Sequence, residues 1–443
     1  MLLDNKEKVK NILNKLNEIV IYRNVINNSL IRKAIKILQE LSKEKPSIEL
    51  IYAEYSSFYK DITEYAFKKR IYKNIWPTFL VEEIAYDENP FSRISEKYGF
   101  DAVSDLMIEA VEKEIRILKE FCSINIAESV NNLLNTELPD FERYVDGSFF
   151  KSKISFTENV NTSHTLENLW ELREDKFAEY LSDYYHSNGC GIFGKYKAFR
   201  WVTENGSGQL KGIENVDPIT FEDLIGYEEE HKIVIENTKA LLKGFPANNV
   251  LLYGDKGTGK SSTVKALLNE FYKEGLRLIE ISKNDVKDLS YIIDIIKDRG
   301  MKFILFFDDL SFDESEVEYK ELKSVLEGGV EILPSNVVIY ATSNRRHIVT
   351  ENIEDNELHN TDAREEKLSL RDRFGITVTF VSPSQEEYLK IVKRLAQKQN
   401  IEIEWNLLKE KALQWAIWHN GRSPRSAKQF IDHLRYEIYK NTI

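Results

Sequence analysis

The sequence has little cysteine, no long apolar run and no excess of positive charge, and each shortage removes a class of function. Two cysteines in 443 residues, Cys122 and Cys190, lie far apart and match no zinc-ligand spacing. A disulfide scaffold or zinc cluster is therefore excluded, and a reduced, cytoplasmic setting is expected. No stretch approaches the ~18 consecutive apolar residues of a membrane span. The opening "MLLDNKEKVKNILNKLNEIVIY" alternates charged with apolar residues, so neither a signal peptide nor a membrane anchor is expected there. With 61 Lys and Arg against 73 Asp and Glu, the net charge is -12. That balance disfavours general electrostatic capture of nucleic acid, although a local basic groove stays open because net charge does not describe patches. The seven histidines are dispersed. No His-Glu-x-x-His, no Cys or His cluster and no Gly-x-Ser-x-Gly elbow occurs, which removes the corresponding metalloprotease and hydrolase chemistries. No repeat is visible at a solenoid period.

What is present is ample apolar material, 42% of residues, in a chain long enough for two or three domains. Residues 1–202 read as a mostly helical domain rich in Tyr, Phe and Ile, closed by a hairpin around the turn residues Asn205-Gly206-Ser207-Gly208. Within it, "DAVSDLMIEAVEKEIRILKEF" sets Leu106, Ala110, Ile117 and Leu118 near one helical face. The aromatic run "IYAEYSSFYKDITEYAF" reads as helix core, not as a base-stacking platform. This domain is the expected docking place for a protein partner, which its sequence does not name. Residues 203–218 read as a linker. From 219 to 383 strands and helices alternate, predicting a parallel sheet with covering helices. The strand candidates are 250–253, 276–281, 303–307, 337–341 and 377–380, several of them continuous apolar runs as expected of strands buried on both faces. Val264, Leu267, Leu268 and Phe271 mark a helix after the first strand, and Gly275 its end. Residues 384–443 are wholly helical in pattern, opened by a Ser384/Glu387 capping box.

The stretch "LLYGDKGTGKSST" carries Gly254, four residues, then Gly259-Lys260-Ser261, between a strand and an amphipathic helix. This is the context a phosphate-binding loop requires. Its glycines let the backbone curl so that N–H groups converge on phosphate oxygens, and the helix N-terminus adds a favourable dipole. Gly254, Asp255, Lys256, Gly257, Thr258, Gly259, Lys260, Ser261 and Ser262 are thus the candidate cradle. Lys260 is placed to pair with the β and γ phosphates, and Ser261 to set its hydroxyl on Mg²⁺. About 40 residues on, "KFILFFDDLSF" delivers Asp308 and Asp309 at the carboxyl end of a strand, where ligands of open α/β sheets bind. Asp308 is the candidate metal residue and Asp309 the residue that polarises the attacking water.

With these motifs, and with "YKELKSVLEGGVEILPSNVVIYATSNRRHI", "LSLRDRFGITV" and "GRSPRSAKQFIDHL", the chain resembles an AAA+ ATPase over about residues 190–443. More narrowly, it resembles the bacterial family catalogued as domain of unknown function 815. The resemblance implies an α/β P-loop module with a helical lid that binds ATP and Mg²⁺ and hydrolyses ATP as a homo-oligomer. It implies that Asn344 senses the γ-phosphate. It also implies an arginine finger acting in trans, Arg373 or, as the alternative, Arg371. Arg425 would be the lid arginine, with Arg422 beside it as the alternative. Arg425 also opposes a local rule, since a cation in the first turn of a helix that Ser423 and Pro424 begin is unfavourable. The segment "FEDLIGYEE" would flank adenine with Ile225 and Tyr227, Gly226 allowing close approach.

Two departures bear on role. Many AAA+ enzymes carry Asp-Glu where this chain has Asp308-Asp309, a pair shared with some helicase loaders and transposition helpers. Protein-threading machines usually show an aromatic residue in the loop after the second strand, which here reads "SKNDVKDLS". The expectation is remodelling or recruitment of a macromolecular partner. The alternatives are a loader-like switch on nucleic-acid machinery or a scaffold with little hydrolysis.

Overall fold

A computed structural model describes residues 2–69, 71, 74–141, 168–204, 206–313, 317–327, 333–344, 349–350, 373–419 and 421–442. The chain divides into two compact units, Met1–Lys195 and Tyr196–Ile443. The described part of the first unit is all helical. Its long helix Ile48–Lys69 buries Ile51, Tyr55, Phe58, Ile62 and Ala66 along one stripe, a spacing of three to four residues, about one helical turn, that lines one face. Phe58 meets Trp76 edge-on at 5.4 Å, and Trp76 meets Phe121 at 5.7 Å. These aromatic rings make core. In the helix Asp105–Cys122 the buried face runs through Val111, Glu114, Ile115 and Leu118, while Leu106 is 80% exposed. The expected face is therefore wrong at its start, because Leu106 lies in the first turn, off the stripe that Val111, Ile115 and Leu118 continue. Glu114 is buried with its charge met by backbone N–H groups from Val20 (2.8 Å), Ile21 (3.0 Å) and Tyr22 (2.9 Å).

The second unit is built on a seven-stranded sheet of order β2-β1-β4-β5-β7-β3-β9. Its strands are β1 Ala198–Glu204, β2 Ser207–Gly212, β3 Val250–Gly254, β4 Leu276–Glu280, β5 Lys302–Phe307, β7 Val337–Ser343 and β9 Ile376–Phe380. β6 Phe312–Asp313 and β8 Val349–Thr350 form a separate small pair. Every neighbouring pair of the large sheet is parallel except β1–β2. The hairpin grouped above with the helical region thus belongs to this sheet, β1 pairing in parallel with β4. All seven residues of β7 are buried, as expected of a central strand covered on both faces.

The helix Lys260–Phe271 turns Val264, Leu267, Leu268 and Phe271 into the core, and Gly275 follows it in the left-handed region at φ +91°. Beyond β9, Ser384 and Glu387 form the expected capping box on Gln385–Lys398. Two more helices, Trp405–Trp418 and Pro424–Thr442, close around Tyr388, Val392, Ala412 and Ile431 as a small separate core. Among the described residues no helix is long and apolar enough to cross a membrane. Cys122 and Cys190 form no disulfide.

Candidate functional site

The carboxyl ends of β3, β5 and β7 meet at one edge of the sheet. β3 ends at Gly254 and the next helix begins at Lys260, with Gly259 as its left-handed cap. Gly254 has φ +134°, and a Cβ there would sit 2.0 Å from the Phe380 carbonyl oxygen. Only glycine lets the loop leave the strand so close to β9. Thr258 steadies the loop by donating its hydroxyl to the Asp255 carbonyl at 2.8 Å. Lys256 is exposed on the loop and Ser262 half-buried in the first helical turn. Lys260 is only 6% exposed. Its ammonium donates to the carbonyls of Gly254 (2.9 Å) and Asp255 (2.7 Å) and to Asn344 Oδ1 (3.0 Å), which engages all three donors of a lysine. Burial pushes it below the ordinary lysine range, while Asp255, Asp309 and Asp308 oppose that shift and Arg425 adds to it.

Opposite the loop, Asp308 and Asp309 follow β5 and are exposed. Ser261 donates its hydroxyl to Asp308 Oδ1 at 2.5 Å. With its proton committed there, Ser261 keeps its lone pairs for a cation. A hydroxyl beside one carboxylate suits Mg²⁺, which takes few protein ligands and keeps water and phosphate oxygens as the rest. Among the described residues no group of three or more His, Cys, Asp or Glu is gathered for a metal. Asn344 Nδ2 donates to Asp309 Oδ1 at 2.5 Å, so this one amide links the lysine to the second acid. The structure therefore brings Lys260, Asn344 and Asp309 into one hydrogen-bonded group and Ser261 and Asp308 into another, and Thr342 joins the two by bonding both acids. Thr342, which touches both acids, was missed by sequence reasoning. Its signal was its place two residues before Asn344 on an apolar strand, hence on the same side.

The lid approaches from the other side. Ser423 caps its helix, accepting from the Ser426 N–H at 3.1 Å. The Arg425 N–H donates to the Gly257 carbonyl at 3.2 Å, and a Cβ on Gly257 would lie 3.0 Å from Ser423 Oγ. Arg425 thus stands beside the loop, exposed, near enough to Lys260 to depress its ionisation. Arg422 is exposed. Ile225 packs on the lid core, and Gly226, at φ +90°, would place a Cβ 3.6 Å from Ile391. Tyr227 lays its ring on Phe380, centroids 5.2 Å apart, and donates its hydroxyl to the Val381 carbonyl at 2.6 Å. Asp255 reaches the same segment just after β9, accepting the Ser382 N–H at 2.7 Å. The Ser382 side chain and then its N–H, aided by Lys260, hold the carboxyl below the usual range.

Arg373 is exposed and precedes β9, whose residues Ile376 and Phe380 pair with Val250 and Gly254 of β3. It therefore lies at the opposite edge of the sheet from the loop; the five residues of β9 alone separate the two edges by roughly 15 Å. Arg373 and the phosphate loop are not brought together within one chain. Arg371 lies outside the described residues.

The family model described as "Protein of unknown function (DUF815)" matches residues 194–438, more than half of the chain, and the chain belongs to that family. Among curated proteins, the chain is 25% identical to the Holliday junction branch migration complex subunit RuvB of Mycoplasmopsis pulmonis, over 50% of this chain and 67% of that one. It is 28% identical to Replication factor C subunit 2 of Saccharomyces cerevisiae, over 25% of this chain and 31% of that one. Among solved structures, the Thermotoga maritima RuvB Holliday junction branch migration motor aligns with TM-score 0.36 and 19% identity, covering 51% of this chain and 67% of that one.

Proposed function

We propose that this DUF815 chain is a magnesium-dependent ATP hydrolase whose cycle acts on a macromolecular partner. The observation that carries the reading is the junction of Lys260, Ser261, Asp308, Asp309 and Asn344 at one sheet edge, directly above a glycine-bounded loop. Lys260 would exchange its two carbonyl partners for phosphate oxygens, while the loop N–H groups and the helix N-terminus receive the remaining charge. Ser261 and Asp308 would hold Mg²⁺, which on binding neutralises the β and γ phosphate oxygens. Asp309, steadied by Asn344, would accept a hydrogen bond from the attacking water and orient it. Asn344 would also reach the γ-phosphate, and Arg425 the phosphates from the lid. Arg373 would act on the site of a neighbouring copy, where a guanidinium fork stabilises charge on the transferred group. Ile225, Gly226 and Tyr227 would border the base.

The test is steady-state ATP hydrolysis against protein concentration. Lys260→Ala should abolish nucleotide binding or turnover, and near-normal activity in it would sink the cradle. Specific activity should rise with concentration and be lost in Arg373→Ala; flat activity surviving that substitution would remove the shared site and with it the oligomer.

A protein partner received by the N-terminal unit is the favoured target, given the net charge of -12. The names of the relatives, a branch migration subunit and a replication factor subunit, favour a second reading in which the partner belongs to nucleic-acid machinery. Hydrolysis stimulated by DNA or RNA with a steep salt slope would select that reading.

A further inference from the structure

Thr342 is 1% exposed on β7, the strand between β5 and β3. Ala341 pairs with Phe307, so Thr342 stands where β5 gives way to Asp308. Its hydroxyl makes two hydrogen bonds of opposite sense. It donates to Asp308 Oδ1 at 2.7 Å and accepts the Asp309 N–H at 2.8 Å. Its own carbonyl accepts the Leu310 N–H at 2.7 Å. One residue therefore fastens three successive residues of the turn, including Asp309 at φ +54°. Asp308 Oδ1 receives Thr342 and Ser261 together, which fixes the carboxylate's rotation at the candidate cation position.

Resting on the assignment of Asp308 and Asp309 above, we propose that Thr342 is a positioning residue that orients both acids. Through Asp308 it sets the affinity for the cation, and through Asp309 it sets turnover. It touches neither nucleotide nor water itself. A group that orients a metal ligand from behind governs metal affinity or activity by roughly 10- to 100-fold, and Thr342 does so for two acids at once.

The experiment compares wild type with Thr342→Val, Thr342→Ala and Thr342→Ser, each checked by thermal melting. A fluorescent ATP analogue is titrated in EDTA and then at rising magnesium, and ATP turnover is measured separately. For Val and Ala, the magnesium concentration that half-saturates the tightening of nucleotide should rise roughly tenfold or more, with a fall in kcat of similar size. Nucleotide affinity in EDTA should stay within a factor of two of wild type, about the scatter of such titrations and far below a tenfold, 1.4 kcal/mol change. Thr342→Ser, which keeps the hydroxyl, should recover most of both losses. If Val misfolds, the Ala–Ser pair makes the same comparison. Unchanged magnesium dependence in folded Val or Ala variants would overturn the proposal, as would equal impairment of Ser and Ala. Wild type that binds the analogue without any response to magnesium would instead overturn the reading of Asp308 on which the proposal rests.

Discussion

Replacing Gly254 by alanine tests whether the loop's departure from β3 is as tightly determined as its geometry implies. The added Cβ would lie 2.0 Å from the Phe380 carbonyl oxygen and 2.7 Å from its carbon, both backbone atoms. No side chain can turn aside, so β3 and β9 must separate at the end of their ladder, where Gly254 pairs with Phe380. That separation also stretches the Asp255 N–H bond to the Phe380 carbonyl, 3.0 Å long. A φ of +134° on a residue with a side chain costs on the order of 1–3 kcal/mol. Overpacking adds about 1–3 kcal/mol, and the weakened hydrogen bond about 1 kcal/mol. Even the low end, about 3 kcal/mol, lowers Tm by roughly 6–12 °C in a unit of this size. Gly259→Ala is the control, because its φ is +102° but its Cβ meets nothing within 4 Å. It should show the strain cost alone, with less than half the shift. Thermal unfolding by circular dichroism reads both. A Gly254→Ala melt within 2 °C of wild type, far inside that expected range, or equal losses in the two variants, would refute the steric reasoning.

His231 is 7% exposed, set against Phe221 and Phe380, and burial pushes its pKa down to about 4. The fold therefore favours the neutral ring: its contribution is complete above the unfolded value near 6.5 and is lost as pH falls toward 4, about 2 kcal/mol between pH 7 and pH 5. Urea midpoints at those pH values should show the loss in wild type and a flatter dependence in His231→Phe; parallel slopes would contradict it. Arg425→Ala should weaken nucleotide binding roughly 10- to 100-fold, the worth of a charge-assisted hydrogen bond, with no loss in the melt of the nucleotide-free protein, since Arg425 only opposes Lys260 there. Titration of a labelled nucleotide beside a melt separates the two, and a melt that drops with affinity would make Arg425 structural. Asp309→Asn should keep the wild-type melt while turnover falls by roughly 10²- to 10⁴-fold; Asp309→Glu should lose stability, because residue 309 sits at φ +54°, and a Glu variant that melts like wild type would remove that constraint.

The elements most legible in the sequence are those with one dominant signal. β5 and β7 are continuous apolar runs, and both strands occur within two residues of their expected ends. Lys260, Ser261 and the two acids could be singled out as candidates because their residue types and spacing match what a phosphate cradle would need, and the structure gathers them at one edge of the sheet. The hairpin was legible as a hairpin but not as part of the sheet. Nothing local in "KYKAFRWVTE" states that β1 pairs with β4, nearly eighty residues on; that pairing is set by tertiary packing. Thr342 was hidden for the same reason. Threonine is ordinary in a strand, and its work becomes visible only when β5 is placed beside β7. Leu106 illustrates the converse, since the apolar residues of this helix fit more than one stripe and periodicity alone does not say which of them a neighbour covers.

The two departures from common AAA+ patterns have local physical causes in this chain. Residue 309 is held in the left-handed region, where Asp and Asn are tolerated and longer side chains are disfavoured. The backbone of the turn, tied down by Thr342, thus favours aspartate at the second acidic position whatever the partner. The Asp-Asp pair is therefore no argument for a loader-like role. The loop after β4 folds as the 3₁₀ turn Lys283–Asp288. Trp201 of β1 donates its indole N–H to Asp288 at 2.9 Å, and Thr203 of β1 donates to Asp285 at 3.3 Å. Ser282 also donates to Asp285, at 2.5 Å. A loop whose acids are spent on the hairpin beside it is anchored to the sheet. An element that grips and moves a polypeptide must travel with the nucleotide state, so this anchoring, more than the missing aromatic, weighs against a pulling mechanism. The hairpin that extends the sheet and the loop it fastens then form one fixed surface. The helices after β9 meet the loop after β3 through the Arg425 N–H, and the segment leading into them meets it through Ser382 and Asp255; if any element answers to a bound nucleotide, these contacts make it this one.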